Sequence, residues 1–369
     1  MKIAIDIRDA VRQKTGKGWY VYNLVGEILK LDEKNNYVLY SNSKKNPYAD
    51  FKNARLKFIE ASPVKWHFRV LKDLKQEKTD LFFAPTSYII PAFAPKNLRV
   101  IITVHDLVAF LYPATHNTKA MIVERLTLKK ALKKVSDVFT VSENTKKDLL
   151  KRFKFREQRI HLTPCAASQV FSEPVSDEEL SAFKKEKNLP DNFLLAVGTL
   201  EPRKNFSTLI KSFVNIKKWH PDYKLVIVGK KGWKFEQIES AIKKYKMEKD
   251  VVFPGYLKDE ELKKMYKLAK VFVFPSLYEG FGIPPLEAMA GGCPVVSSNL
   301  ASLPEVVGDA GILIDPTNAY KLADAVSGLL ENDNVRNMMI ERGYKQAEKF
   351  KWENSAEAAL NVFLSNQTQ

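Results

Sequence analysis

The stretch Val271-Phe272-Val273-Phe274-Pro275-Ser276-Leu277-Tyr278-Glu279-Gly280-Phe281-Gly282-Ile283-Pro284-Pro285-Leu286-Glu287 sets the reading of the whole chain. Its first four residues are a short apolar run rich in β-branched and aromatic side chains, the pattern of a strand buried on both faces in a parallel sheet. Pro275 stops the strand, and Gly280 and Gly282 allow a turn that turns backbone N–H groups toward a ligand. Pro284 and Pro285 suit a first helical turn, where a missing N–H costs nothing and φ is already helical. Glu279 therefore falls on a loop at a strand's carboxyl end and Glu287 just inside a helix whose start favours anions. Carboxylates on either side of an anion site fit a ligand with hydroxyls at both ends and phosphate between them. A nucleotide sugar has that form.

The same stretch resembles the Glu-x7-Glu signature of the retaining family-4 glycosyltransferases, and the likeness continues through Pro294-Val295-Val296-Ser297-Ser298 and Ser302-Leu303-Pro304-Glu305-Val306-Val307-Gly308. The resemblance implies that Glu279 contacts the donor sugar and Glu287 the nucleotide ribose, with Gly280, Phe281 and Gly282 forming the loop against the donor.

Working outward, the second half repeats a strand–loop–helix pattern. Phe193 to Gly198 reads as a strand, and Thr199-Leu200-Glu201-Pro202-Arg203-Lys204-Asn205 as its following loop. Arg grips phosphate oxygens with two N–H groups and Lys adds a point charge. This segment is similar to the family's diphosphate loop, which assigns Arg203 and Lys204 to catalysis and Gly198 and Asn205 to the donor. Gly255 and Tyr256 lie at another strand end, where the family places the nucleotide base.

The first half opens with the strand Lys2–Ile7, a loop containing Gly16 and Gly18, and an amphipathic helix. The glycine spacing is neither a dinucleotide fingerprint nor a P-loop; the resemblance places Gly16 and Gly18 against the donor diphosphate. The strand Arg99 to Val104 delivers His105 and Asp106 at its carboxyl end, the ligand-binding edge of open α/β sheets. The family carries a His-Asp there facing the donor sugar, which assigns His105 to the site.

Charge is unevenly distributed. The chain has 369 residues and a formal charge of +16, and residues 1–170 hold 32 Lys and Arg against 16 Asp and Glu, so the later residues are neutral overall. An anionic partner for the first half is expected, such as a membrane surface or a phosphorylated lipid. Two segments fit it. Val64 to Leu74 interleaves Trp66 and Arg69 with aliphatic residues, as an interfacial helix does. A helix from about Lys119 to Val135 presents Lys129, Lys130, Lys133 and Lys134, with Leu126, Leu128, Ala131, Leu132 and Val135 as its apolar contacts. Nucleic acid, the other anion that charge suggests, has no reading module here and leaves Glu279 and Glu287 unexplained. Cys165 and Cys293 read as packed interior, no metal or disulfide pattern is present, and no run is long enough to span a membrane. A cytoplasmic protein, peripheral on the inner membrane face, is expected.

The fold expected is α/β: two doubly wound Rossmann-like domains facing across a cleft, the GT-B arrangement. Residues 1–172 form the acceptor domain, 173–190 a polar link with Pro174 and Pro190, 191–350 the nucleotide-sugar domain, and 351–369 a helix crossing back. The resemblance looks closest to bacterial mannosyltransferases of O-antigen and exopolysaccharide assembly. It implies transfer of mannose from GDP-mannose to a lipid-linked saccharide, with no metal or other cofactor. UDP-hexose and dTDP-rhamnose transferases share the motifs, and a nucleotide-sugar epimerase of the same fold is a further alternative.

Overall fold

The computed structural model describes residues 1–12, 16–115 and 118–365. The chain divides into two compact units, Met1–Cys165 with Lys351–Gln369, and Ala166–Phe350.

Each unit is built on one parallel sheet. Among the described residues, the first has β1 (Lys2–Asp6), β2 (Asn36–Ser41), β3 (Ala54–Phe58), β4 (Leu81–Ala84), β5 (Arg99–Val104), β6 (Asp137–Thr140) and β7 (Ile160–Leu162). Their spatial order is 3-2-1-4-5-6-7. The second has β8 (Asn192–Val197), β9 (Tyr223–Val228), β10 (Val251–Gly255), β11 (Val271–Phe274), β12 (Val295–Ser298) and β13 (Gly311–Ile314), in the order 10-9-8-11-12-13. Strands such as Val271–Phe274 and Leu81–Ala84 are buried throughout, because helices cover both faces and leave no side for polar alternation. Each fully buried Val, Ile or Phe contributes about 1.5–3 kcal/mol by leaving water.

In both sheets the winding reverses beside the first strand, between β1 and β4 and between β8 and β11. Loops diverge at such a switch point and leave a crevice at the strands' carboxyl ends. The loops after β8 and β11 carry Arg203, Lys204 and Glu279, so topology alone brings these distant residues together.

The path between units differs from the compositional reading. Residues 173–190 are not a link: they contain the helix Asp177–Glu186, opened by a capping box in which the Ser176 hydroxyl accepts from Glu179 N–H. This helix lies in the second unit, and the chain passes between units at Cys165 and Ala166. Charged composition marks a helix packed by one face, with Phe183 buried. The helix Trp352–Leu364 belongs to the first unit. Arg99 on β5 donates to the carbonyls of Val362 and Phe363, both at 2.6 Å, satisfying the helix's last carbonyls, and Ser355 donates to the Pro164 carbonyl.

The loop expected around Gly16 and Gly18 is instead the first turn of the helix Gly16–Leu31, which packs against Trp352–Leu364. Tertiary packing of Tyr20, Val21 and Leu24 overrides the low helical propensity of glycine. Thr15 lies outside the described residues.

Candidate functional site

The site in the second unit is built around one buried carboxylate. Glu279 Oε1 lies 2.6 Å from Lys204 Nζ, and Oε2 lies 2.7 Å from Arg203 Nη1. The Ser276 hydroxyl donates to Oε1 at 2.5 Å. Arg203 also pairs with Glu201 at 2.7 Å and donates to the Tyr278 carbonyl at 2.6 Å. Burial by itself would raise the Glu279 carboxyl, but Arg203 and then Lys204 outweigh it and hold it at about 2. Burial lowers the Lys204 ammonium, against the pull of Glu279. Arg203 and Lys204 thus come to one point, as expected, but their charge is already balanced by carboxylates.

Two backbone features hold this geometry. Gly282 has φ +119°, and a Cβ there would stand 2.7 Å from Leu303 Cδ2. Gly198 and Gly229 meet so closely that a Cβ on Gly229 would lie 1.9 Å from the Gly198 carbonyl oxygen. Ser302 reaches back to the loop, its hydroxyl 2.9 Å from the Glu279 carbonyl and 2.5 Å from that of Phe281. Leu277 N–H donates to the Arg203 carbonyl, tying the two loops together. Because Pro284 and Pro285 have no N–H, the donors at the start of the helix Ile283–Ala290 are those of the loop and of Ile283.

Glu287 is a different kind of carboxyl. Burial, followed by repulsion from Asp259, pushes it up to about 8, so it is mainly protonated at neutral pH. The Tyr266 hydroxyl donates to its Oε2 at 3.1 Å. A neutral acid in this position can both donate to and accept from a hydroxyl pair.

Other expected positions divide. Asn205 adopts a left-handed conformation, and its amide donates to the carbonyls of Pro275 and Pro316, so it braces the loops. Phe281 is buried against Phe350. Tyr256, at the end of β10 with Gly255, is half-exposed under the Lys230 ammonium, which lies 4.6 Å from its ring centroid. Ser276, Ser302 and Tyr266 were missed. Ser276 lies inside the motif, but a serine has no sequence pattern that marks it as a carboxylate's donor.

In the first unit His105 is buried at the end of β5, its Nε2 donating to the Pro85 carbonyl at 2.7 Å, with the Tyr20 ring edge-on at 4.7 Å. Burial, then the Lys17 charge, lowers the imidazole to about 4, so it is neutral and Nε2 carries the proton. Trp66 corrects the interfacial reading: it is fully buried, with the Arg8 guanidinium 3.8 Å from its ring centroid. The exposed large apolar residues of its helix, Pro63–Gln76, are instead Val64 at 69% and Phe68 at 65%. Arg69 donates to the Glu60 carbonyl. Lys129, Lys130, Lys133 and Lys134 are exposed as expected, with Lys130 over the Phe93 ring and Lys134 donating to the Ala94 carbonyl. Leu126, expected to be packed, is 68% exposed.

Residues 18–168 match the model described as glycosyltransferase family 4, and residues 177–346 that of glycosyl transferases group 1. The O-antigen chain mannosyltransferase B of Escherichia coli is 32% identical over 79% of this chain and 75% of its own length. The chain belongs to glycosyltransferase family 4. This glycosyltransferase, a hexosyltransferase, is also 28% identical to the serotype-specific mannosyltransferase WbdA of E. coli, over 72% of this chain and 33% of that longer one. Its fold is GT-B: HepE from Anabaena, solved in complex with UDP-glucose, superposes with a TM-score of 0.81 over 99% of this chain and 100% of that one, at 16% identity.

Proposed function

We propose that the enzyme moves mannose from GDP-mannose to a hydroxyl of a lipid-linked saccharide, with retention at the anomeric carbon. The observation carrying this reading is the buried Arg203–Glu279–Lys204 cluster at the β8/β11 switch point. The acceptor oxygen bonds to the anomeric carbon as the bond to the diphosphate oxygen breaks, and the acceptor's proton passes to the diphosphate on the same face. Arg203 and Lys204 meet the growing negative charge, in a pocket where it is poorly screened. Glu279, released from part of its pairing, holds the sugar hydroxyls; neutral Glu287 holds the ribose; neutral His105 contacts the sugar. Gly16, Gly18, Gly198, Gly255, Tyr256 and the Gly280–Gly282 loop complete the donor contacts, and the scheme assigns no metal. Mannose rests on the two mannosyltransferase relatives and on the motif likeness.

The acceptor side is assigned to the basic first unit. Helices Pro63–Gln76, Ile89–Phe93 and Thr118–Ala131 pack in that order and expose Val64, Phe68, Phe93, Ile122 and Leu126 beside Lys129, Lys130 and Lys133. Apolar side chains among cations suit the surface of an anionic leaflet. Among the described residues no helix is long and apolar enough to cross a membrane, so the contact proposed is peripheral, on the cytoplasmic face.

Titration of the full chain with GDP, UDP and dTDP tests the donor assignment. GDP is expected to bind tightest, and Arg203→Ala to weaken it about 10–100-fold, the value of a charge-assisted bidentate contact. Preference for UDP or dTDP refutes mannose from GDP-mannose; failure to bind all three refutes the donor site.

A further inference from the structure

Lys230 has no part in the chemistry described above, yet the fold fixes it at the carboxyl edge of the second sheet. It lies two residues beyond β9, in a turn knit to the strand ends on both sides. Leu200 N–H, beyond β8, donates to the Lys230 carbonyl at 2.9 Å, and Gly229 N–H donates to the Gly255 carbonyl of β10 at 2.9 Å. The Lys230 ammonium stands 4.6 Å from the centroid of the half-exposed Tyr256 ring. A side chain built on the adjacent Gly255 would meet nothing within 4 Å, so the space beside that ring is open. Lys231, next in the chain, is exposed and turned onto a different ring, 4.5 Å from the Phe235 centroid.

Position along the sheet edge specifies what Lys230 meets. Arg203 and Lys204 follow β8, beside the switch point, whereas Lys230 and Tyr256 follow β9 and β10, further from it. Burial, then the Asp259 and Glu287 carboxyl groups, raises the Tyr256 hydroxyl, so this ring lies on the side of the site where Glu287 is assigned to the ribose. What extends beyond the ribose is the base. Its flat face stacks on an aromatic ring. Stacked on Tyr256, a base takes the ammonium's place over the ring and leaves the ammonium at its edge. An ammonium only donates, so it suits an edge made of acceptors. Guanine presents O6 and N7 side by side there, and uracil and thymine present O4, whereas adenine and cytosine set a donor amino group at that place.

We propose that Lys230 selects the nucleotide, its ammonium donating to the carbonyl edge of a base stacked on Tyr256, so that keto bases are taken and amino bases rejected. Guanine, with two acceptors on that edge, fits best. The inference rests on the donor reading above and adds the residue that discriminates between bases.

The test measures, by calorimetry on the full chain, the affinities of GDP, IDP, ADP, UDP and CDP for the wild type, Lys230→Met, Lys230→Arg and Lys231→Met. These ligands share the ribose and diphosphate, so ratios between them report the base alone. Hypoxanthine, the base of IDP, keeps O6 and N7 and lacks guanine's amino group. The wild type should bind GDP and IDP within about threefold of each other, and ADP about tenfold or more weaker. Lys230→Met keeps the apolar stem and removes the donors; it should weaken GDP about tenfold and bring ADP to within about threefold of it. Lys230→Arg should retain the preference, and Lys231→Met should leave every ratio unchanged. Equal weakening of all five ligands in Lys230→Met overturns the proposal, because a cation serving the diphosphate would act that way. IDP binding as weakly as ADP also overturns it. UDP binding tightest refutes GDP-mannose as donor, yet upholds Lys230 as the selector if the preference for UDP over CDP is lost in Lys230→Met. A wild type that binds no nucleoside diphosphate overturns the donor site and this proposal with it.

Discussion

Glu279→Gln isolates the electrostatics of the site. Glutamine keeps the shape and can still accept from Ser276, but it removes the charge facing Arg203 and Lys204. Arg203 keeps Glu201 as a partner, so the buried Lys204 ammonium bears most of the loss. Holding the Glu279 carboxyl at about 2 instead of 4.5 corresponds to roughly 3 kcal/mol at neutral pH. The burial cost of Lys204 is present in wild type and variant alike and goes uncompensated in the variant, so a loss of about 3 kcal/mol is expected. The carboxyl's folded-state value is depressed, so its contribution is complete above pH 4.5 and falls as pH drops toward 2, by at most about 1.4 kcal/mol per unit. The assay is urea unfolding of the full chain at pH 7, 4 and 3, with the two units' transitions fitted separately. The difference between wild type and variant should be largest at pH 7 and about half that at pH 3. A difference below about 0.5 kcal/mol at pH 7, or one that does not shrink with acid, refutes the argument that the pairing holds the site together.

Glu287 has the opposite sign. Its folded value is raised to about 8, so wild-type stability should decline between pH 4.5 and 8, and Glu287→Gln should flatten that decline in the same unfolding series. Gly282→Ala forces a side chain into φ +119° and against Leu303; a loss of about 1–3 kcal/mol is expected in thermal unfolding. Phe68→Ser with Leu126→Ser should lower co-sedimentation with phosphatidylglycerol vesicles severalfold while the circular dichroism spectrum is unchanged, since both side chains are about two-thirds exposed. Equal sedimentation of variant and wild type would remove this face from the proposed membrane contact.

Much of the site was legible because its parts are short and local. A buried strand, a stop, two glycines and two prolines around Glu279 make one loop–helix unit whose pattern is complete within 271–287. Arg203 and Lys204 were legible for the same reason, in their loop after β8. Trp66 was not. The amphipathic stripe around it is real, but periodicity does not say which side of a helix faces water when aromatic and basic residues occupy both, and the ring went inward beneath Arg8. The charged stretch at 173–190 misled similarly, since a helix that buries one Phe183 face remains mostly polar.

The sequence alone determined the doubly wound pattern and most of its strands, and marked Arg203, Lys204, Glu279 and Glu287 as candidates, because these depend on periodicity, turn chemistry and charge within a few residues. Only the tertiary structure decided the protonation of the two glutamates. Both are glutamates in apolar surroundings, yet Glu279 is held at about 2 and Glu287 is pushed up to about 8. Strand order places two cations from a loop some 75 residues away against the first, while the second meets the Tyr266 hydroxyl and the repelling charge of Asp259. A charge's free energy depends on what lies within a few ångströms, and those neighbours come from distant parts of the chain.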